Sequence, residues 1–84
     1  MFGGIVMFDK IWEICKKVDS RVPKLKETKL FEEGYIDSFG AFMILTLLEI
    51  EFDVEINKEE MNYENFQDME HIEMLVTGLL EKKE

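Results

Sequence analysis

The sequence predicts an all-α domain, in which three long helices and one short helix form a four-helix bundle with a long loop between helices one and two. Apolar residues recur at helical spacing in three separate segments, and capping residues precede the later ones. No segment alternates apolar and polar residues beyond a few positions, and the nearest, residues 53–56, lies between two predicted helices. A chain of 84 residues suits one domain.

The first predicted helix covers residues 7–18. Asp9 in its first turn and Lys16 and Lys17 in its last turn suit the helix dipole. Its apolar side chains fall on one stripe with two neighbours beside it: Met7, Phe8, Ile11, Trp12, Ile14, Cys15 and Val18. Residues 1–6 are expected to be a disordered N-terminal extension of the domain formed by residues 7–84. Met7 offers an alternative start of translation to Met1.

A long loop is predicted at residues 20–37. They contain the only proline, Pro23, and a turn-forming glycine, Gly34, and their apolar residues show no period. We expect this loop to be held to the core at scattered positions, which are Leu25, Leu30, Phe31 and Ile36. A connection of this length is unusual in a small domain, and such loops are often functional.

The central helix is predicted at residues 38–52, the most apolar segment, with Asp37 placed to cap its N-terminus. A short helix follows, because Asn57 and Glu60 have the spacing of a capping box, and it is expected to end near Asn62. The last helix is predicted to begin at a second capping pattern at Asn65 and to run to about residue 81.

The composition excludes several classes of function. The 10 basic and 19 acidic residues give a net charge of −9, which repels nucleic acid and favours basic partners. The single cysteine allows no internal disulfide, which indicates a reducing cytoplasm. No signal peptide or bilayer-spanning run is evident, so neither secretion nor membrane insertion is expected. We expect a monomer.

No catalytic or metal-binding constellation is evident. The chain has one histidine, His71, and nothing in the sequence links it to a nucleophile. Four residues from Asp53 to Glu64 fit positions of a calcium loop, but Lys58 stands where that loop needs glycine. We therefore predict that the protein is not an enzyme and holds no metal.

One serine stands out, because Ser38 lies at the predicted N-terminus of the central helix, directly after Asp37. Backbone N–H groups and the positive end of the helix dipole stabilise a phosphate carried at such a position. The Asp37 carboxylate can help to hold a divalent metal and orient the hydroxyl while the phosphate arrives. Taken alone, the two residues also fit a plain N-cap.

The residues around this serine favour a functional role for it, because the chain resembles the acyl and peptidyl carrier protein family. In that family a serine in a D-S-[L/M/F] motif at the start of helix two carries 4′-phosphopantetheine, and Asp37, Ser38 and Phe39 match the motif. Residues 52–56 and the short acidic helix resemble the family's F-x-x-x-I-P-x-E-E stretch, with Asn57 in place of the frequent proline. The resemblance covers about residues 7–81 and implies an acyl-carrier-protein-like bundle.

The resemblance implies a discrete carrier protein, not a catalyst, that holds its cargo as a thioester on an arm attached to Ser38. Its partners would be a phosphopantetheinyl transferase, an adenylating or ligating enzyme that loads the cargo, and a downstream acyl- or aminoacyl-transferase. Residues 30–38 look more like the approach in D-alanyl carrier proteins and other stand-alone carriers for activated amino or acyl groups than the approach in fatty-acid-synthesis carriers. D-alanine transfer, fatty acid, polyketide and nonribosomal peptide synthesis all stay open.

The central helix carries two apolar stripes on opposite faces, one of Ala41, Ile44, Leu45, Leu48 and Phe52, the other of Phe39, Met43, Thr46 and Ile50. One core cannot bury both. After Ser38 only Glu49 and Glu51 are acidic, so we predict that Phe39, Met43 and Ile50 form an apolar docking patch. Alternatively the long loop covers part of this stripe. The competing function is an unmodified helical interaction module that binds a partner through the same face.

Overall fold

The protein is a bundle of four α-helices. The computed structural model describes the backbone of residues 3–83 and the side chains of residues 7–83. The helices are α1 (Gly3–Val18), α2 (Ser38–Phe52), α3 (Tyr63–Phe66) and α4 (Met69–Lys83), with a 3₁₀ turn at Lys58–Glu60. No strand occurs within residues 3–83. The predicted all-α class is confirmed, although the short helix is α3 and not the segment in which it was predicted.

The start of α1 differs from the prediction. Its helical backbone begins at Gly3, earlier than the predicted start at Met7. Met1 and Phe2 lie outside the described residues, so the expectation of an extension at these two positions stays a prediction. The end of α1 at Val18 and the two lysines in its last turn agree with the sequence pattern.

The core forms where one face of each helix meets the others. All three long helices contribute side chains that are almost completely buried, and Phe66 of α3 and Leu30 of the loop join them. The set is Ile11, Cys15, Leu30, Ile44, Leu48, Phe66, Met69, Ile72 and Val76. Burying an aliphatic or aromatic side chain of this size stabilises the fold by about 1.5–3 kcal/mol. Burial also raises the pKa of the Cys15 thiol to about 12.

The long loop is held to the bundle by side chains and by backbone hydrogen bonds. Leu30 is fully buried, and its N–H donates to the carbonyl of Gln67 at 2.9 Å. The Trp12 indole of α1 donates to the Val22 carbonyl at 3.0 Å. Leu30 and Ile36 act as the predicted anchors, and Phe31 is half-buried. Leu25 does not act as an anchor, because it is 59% exposed. Val22 is buried in this segment instead.

The α2 helix has the predicted bounds, and capping interactions at both of its ends account for them. The Asp37 carboxylate caps the N-terminus by accepting the Gly40 N–H at 2.8 Å. At the other end Asp53 adopts the left-handed conformation at φ 54°, and its N–H donates to the Glu49 carbonyl. A left-handed residue satisfies the last carbonyls of a helix and prevents its continuation.

The region between α2 and α4 departs from the prediction. The Asn57 N–H does bond to the Glu60 carboxylate at 3.0 Å, as the capping box requires, but only a 3₁₀ turn forms. Asn65 does not start the last helix. It lies inside α3, which is capped by Asn62, and α4 begins after Asp68, whose carboxylate accepts the His71 N–H at 2.8 Å. Asn62 and Asp68 therefore cap two separate helices where we expected one helix.

Candidate functional site

Ser38 is the first residue of α2 and is exposed to solvent. Asp37, directly before it, is also exposed and uses Oδ1 to cap the helix through the Gly40 N–H. No acidic residue lies in the first turn of α2. The hydroxyl of Ser38 therefore stands at an accessible helix N-terminus, where the helix dipole is positive and a phosphate is stabilised.

Gly40 lets this end of α2 approach its neighbours closely. A β-carbon at this position would lie 3.1 Å from Cγ1 of Val18 and 3.2 Å from Cβ of Ile36. These distances are shorter than ordinary van der Waals contact. Gly40 thus holds the start of α2 against the end of α1 and the end of the loop. The sequence pattern did not predict this role, and the signal it offered was a glycine inside the first turn of a very apolar helix.

Two depressions flank the start of α2. On the side of α3 lies a cleft of about 200 Å³, which we call the aromatic cleft, lined by Phe31, Ser38, Ala41, Met61, Asn62, Tyr63 and Phe66. On the side of α1 lies a wider and more polar depression of about 460 Å³, lined by Val18, Gly34, Tyr35, Ile36, Asp37, Phe39, Gly40 and Met43. Of these two depressions, Ser38 lines the aromatic cleft.

Tyr63 links α3 to the long loop at the rim of the aromatic cleft. Its hydroxyl donates a hydrogen bond to the Glu32 carboxylate, and its ring lies 5.5 Å from that of Phe31, centroid to centroid, at an angle of 41°. The hydrogen bond lowers the pKa of Glu32 and raises the pKa of Tyr63. We call Glu32, Phe31 and Tyr63 the clasp. None of these contacts was predicted, because the clasp joins residues far apart in sequence.

The predicted docking residues lie on the outer face of α2. Phe39 and Ile50 are 71% and 74% exposed, so the long loop does not cover them. Met43 is half-buried and lines the depression beside the loop, so the predicted partial covering applies to this residue. Phe42 is also exposed, although the predicted stripes did not include it. The opposite stripe of α2 is buried or half-buried as predicted.

Both acidic residues of α2 are engaged within the protein. Glu49 accepts the Ile56 N–H at 2.8 Å, and Glu51 forms an ion pair with Lys10 of α1 at 2.7 Å. The outer face of α2 therefore presents large apolar side chains with little uncompensated charge. Apolar groups exposed next to one another are typical of surfaces that bind other proteins.

The described side chains form no group of three or more His, Cys, Asp or Glu residues suited to a metal ion. His71 bonds through Nδ1 to Asp68 at 2.7 Å, at the start of α4. None of the described helices is long and apolar enough to cross a bilayer.

Comparisons of the chain with models of known protein families, with curated protein sequences and with solved structures found no match.

Proposed function

We propose that the protein is a discrete carrier that holds an acyl or aminoacyl group as a thioester on a 4′-phosphopantetheine arm attached to Ser38. The observation that carries this proposal is the exposed Ser38 hydroxyl at the N-terminus of α2, next to the capping carboxylate of Asp37. The D-S-F motif and the order of the helices support it. When bound, the arm supplies a mobile thiol for the cargo.

The chain itself contributes the hydroxyl to which the arm is attached, the dipole of α2 and the carboxylate of Asp37. A transferase would join Ser38 Oγ to the phosphorus of the phosphopantetheine half of coenzyme A. The pyrophosphate bond of coenzyme A would break, adenosine 3′,5′-bisphosphate would leave, and the Ser38 proton would pass to the transferase. The dipole of α2 stabilises the resulting phosphate charge by about 0.3–1 kcal/mol. Asp37 commits Oδ1 to the cap and leaves Oδ2 for the Mg²⁺ that a transferase brings. The protein supplies no catalytic group for the chemistry of the cargo.

The partners follow from this role. A phosphopantetheinyl transferase attaches the arm, an adenylating or ligating enzyme loads it, and a downstream transferase removes the cargo. We assign these contacts to the exposed apolar face of α2, with Phe39 and Ile50 as the main groups and Met43 at its edge. The protein acts as a monomer in the cytoplasm, where coenzyme A is at hand and the lone Cys15 stays reduced.

The test is intact-mass spectrometry after incubation with coenzyme A, Mg²⁺ and a phosphopantetheinyl transferase of broad specificity. We expect the wild type to gain one phosphopantetheine and Ser38→Ala to gain none. Ser20→Ala is the matched control, because Ser20 is the only other serine and is also exposed, so this variant should load like the wild type. A folded wild type that gains no mass, beside a known carrier that does, would contradict the proposal.

The exposed face of α2 also supports a second candidate, an unmodified interaction module that binds a partner through Phe39, Phe42 and Ile50. In that case Ser38→Ala would leave partner binding unchanged, whereas in a carrier the same variant abolishes every function that depends on the arm.

A further inference from the structure

The solvent-facing side of α4 carries a depression of about 510 Å³. Met74, Thr77 and Gly78 line it, and Met74 is 63% exposed. A second depression of about 230 Å³ adjoins the first, because Thr77 lines both, and it extends to Met7 of α1. We call the two together the α4 groove. No described residue of α2 lines it, so it is a surface separate from the apolar face of α2.

The fold does not require a glycine at position 78. Gly34 adopts a φ of 81°, and Gly40 makes close contacts with its neighbours. Gly78 has neither feature, because its φ is not positive and a β-carbon there would meet nothing within 4 Å. Glycine also lowers the stability of a helix interior relative to alanine. What the missing side chain does provide is room for the backbone of another helix to approach α4 closely.

Carboxylates stand at both ends of the α4 groove. Glu70 and Glu81 line it, are exposed and lie about 16 Å apart along the helix. Neither forms an ion pair with a described residue. Glu73 between them is paired with the Lys26 ammonium group at 3.2 Å. In a chain of net charge −9, these carboxylates attract a basic partner and repel a second copy of the chain.

The apolar groups and the charges together fit one kind of occupant. An amphipathic helix that lies in a groove buries apolar residues spaced at i, i+3, i+4 and i+7. Met7 and Met74 offer flexible apolar side chains that adapt to such a stripe, and Gly78 lets its backbone come close. A helix of about three turns spans the distance from Glu70 to Glu81.

We infer that the α4 groove docks a basic amphipathic helix of a partner protein. The apolar stripe of that helix lies against Met74 and Gly78, and its lysines or arginines lie beside Glu70 and Glu81. The inference goes beyond the proposed function, because it needs no arm at Ser38. The partner on α4 is also different from the loading enzyme, whose contacts we assign to α2.

The test uses the unmodified protein, so its result does not depend on whether Ser38 accepts an arm. The probe is a labelled synthetic peptide of about 14 residues, roughly four helical turns, with leucine on one face and lysine on the other. The control peptide has glutamate in place of lysine. Fluorescence anisotropy measures affinity, and NMR shifts of backbone amides locate the site. We expect the lysine peptide to bind, more weakly as salt is raised, and to shift residues 70–81 more than residues 39–50.

Two kinds of variant separate the groove from the net charge. Gly78→Leu fills the groove and should weaken binding about tenfold. It should fold, because the position is open and leucine favours helix. Glu70→Gln combined with Glu81→Gln should weaken binding about fivefold at low salt. The matched control, Glu33→Gln combined with Glu55→Gln, removes the same charge from exposed residues outside the groove and should bind almost like the wild type.

Several results would overturn the inference. They are shifts centred on residues 39–50, equal binding of the glutamate peptide, undiminished binding by a folded Gly78→Leu, and equal losses in the two double variants. Dimers of the protein alone that Gly78→Leu dissociates would make a second copy the occupant and overturn it as well. If Gly78→Leu does not fold, the two double variants still decide, because they change only exposed carboxylates.

Discussion

The helices α2 and α4 are both capped at the N-terminus by an aspartate, but the two caps differ in their exposure to solvent. In each, an aspartate directly before the helix accepts the backbone N–H three residues on, at 2.8 Å, Asp37 from Gly40 and Asp68 from His71. Asp37 and the following Ser38 are exposed, whereas Asp68 is only 4% exposed and the following Met69 is fully buried. The capping pattern alone therefore does not identify a functional helix terminus. Exposure separates a terminus that partners can reach from one that only holds the fold together.

Removing the cap of α4 should lower stability more than removing the cap of α2, whereas only removal of the α2 cap should slow attachment of the arm. We expect Asp68→Ala to lower the free energy of unfolding by about 2 kcal/mol, the upper end for a cap, because water cannot readily replace a buried acceptor. Asp37→Ala should cost about 1 kcal/mol or less, because its site is solvated. Urea unfolding measures both. At a temperature where both variants are folded, only Asp37→Ala should slow attachment of the arm, and a similar slowing in Asp68→Ala would break the distinction.

The exposed apolar residues of the two helices provide a second contrast. Ile50 on α2 and Met74 on α4 are 74% and 63% exposed. We expect Ile50→Glu to lower the rate of cargo loading by the cognate enzyme about tenfold, which corresponds to about 1.4 kcal/mol of lost contact. Met74→Glu adds the same charge on the other helix and should leave loading unchanged. Equal effects of the two variants would assign the loss to net charge and not to docking on α2.

The glycines of the two helices should respond in opposite directions to alanine. A β-carbon at Gly78 would meet nothing within 4 Å, so Gly78→Ala should stabilise α4 by about 0.5–1 kcal/mol through helix propensity. At Gly40 the same β-carbon approaches Cβ of Ile36, which cannot rotate away, so Gly40→Ala should destabilise the protein by about 1 kcal/mol. Thermal unfolding of the two variants compares them directly. Stabilisation by Gly40→Ala would show that this contact is not tight.

The smallest expected effect concerns the clasp beside the start of α2. Its hydrogen bond raises the pKa of Tyr63 and lowers that of Glu32. Its contribution is therefore complete below the ordinary tyrosine pKa of about 10 and is lost as pH rises through the raised value. At the acidic end it is lost as pH falls through the lowered pKa of Glu32. In a Tyr35→Phe background, absorbance titration should show that Glu32→Gln lowers the pKa of Tyr63. An unchanged titration would contradict the hydrogen bond.

Local signals in the sequence predicted much of the fold. The bounds of α2 follow from the Asp37 cap and the dense apolar segment, and its buried stripe follows from helical periodicity. The start of α4 was placed wrongly because Asn62, Asn65 and Asp68 all have capping side chains, and local chemistry does not rank them. The anchors of the loop were only partly predicted, because Val22 and Leu25 differ in burial through tertiary packing.

Only those parts of the candidate site whose residues lie close together in sequence could be predicted. Asp37, Ser38 and the outer stripe of α2 lie within one helix and its cap, so spacing was sufficient to find them. The clasp joins Glu32 to Tyr63 across 31 positions, and the contact of Gly40 with Val18 spans the whole loop. A single sequence carries no periodic or motif signal for such pairs, because their meeting depends on how the helices pack.

If the protein holds thioesters as we propose, the burial of Cys15 has a chemical consequence. Burial raises the pKa of this thiol to about 12, so the thiol is protonated at neutral pH, and it has no exposed surface. It therefore cannot take an acyl group from an arm by internal transthioesterification. If Ser38 carries the proposed arm, alkylating reagents applied to the folded protein should react with the thiol of the arm and not with Cys15. Free and loaded forms of the proposed carrier could then be distinguished without mutating the single cysteine.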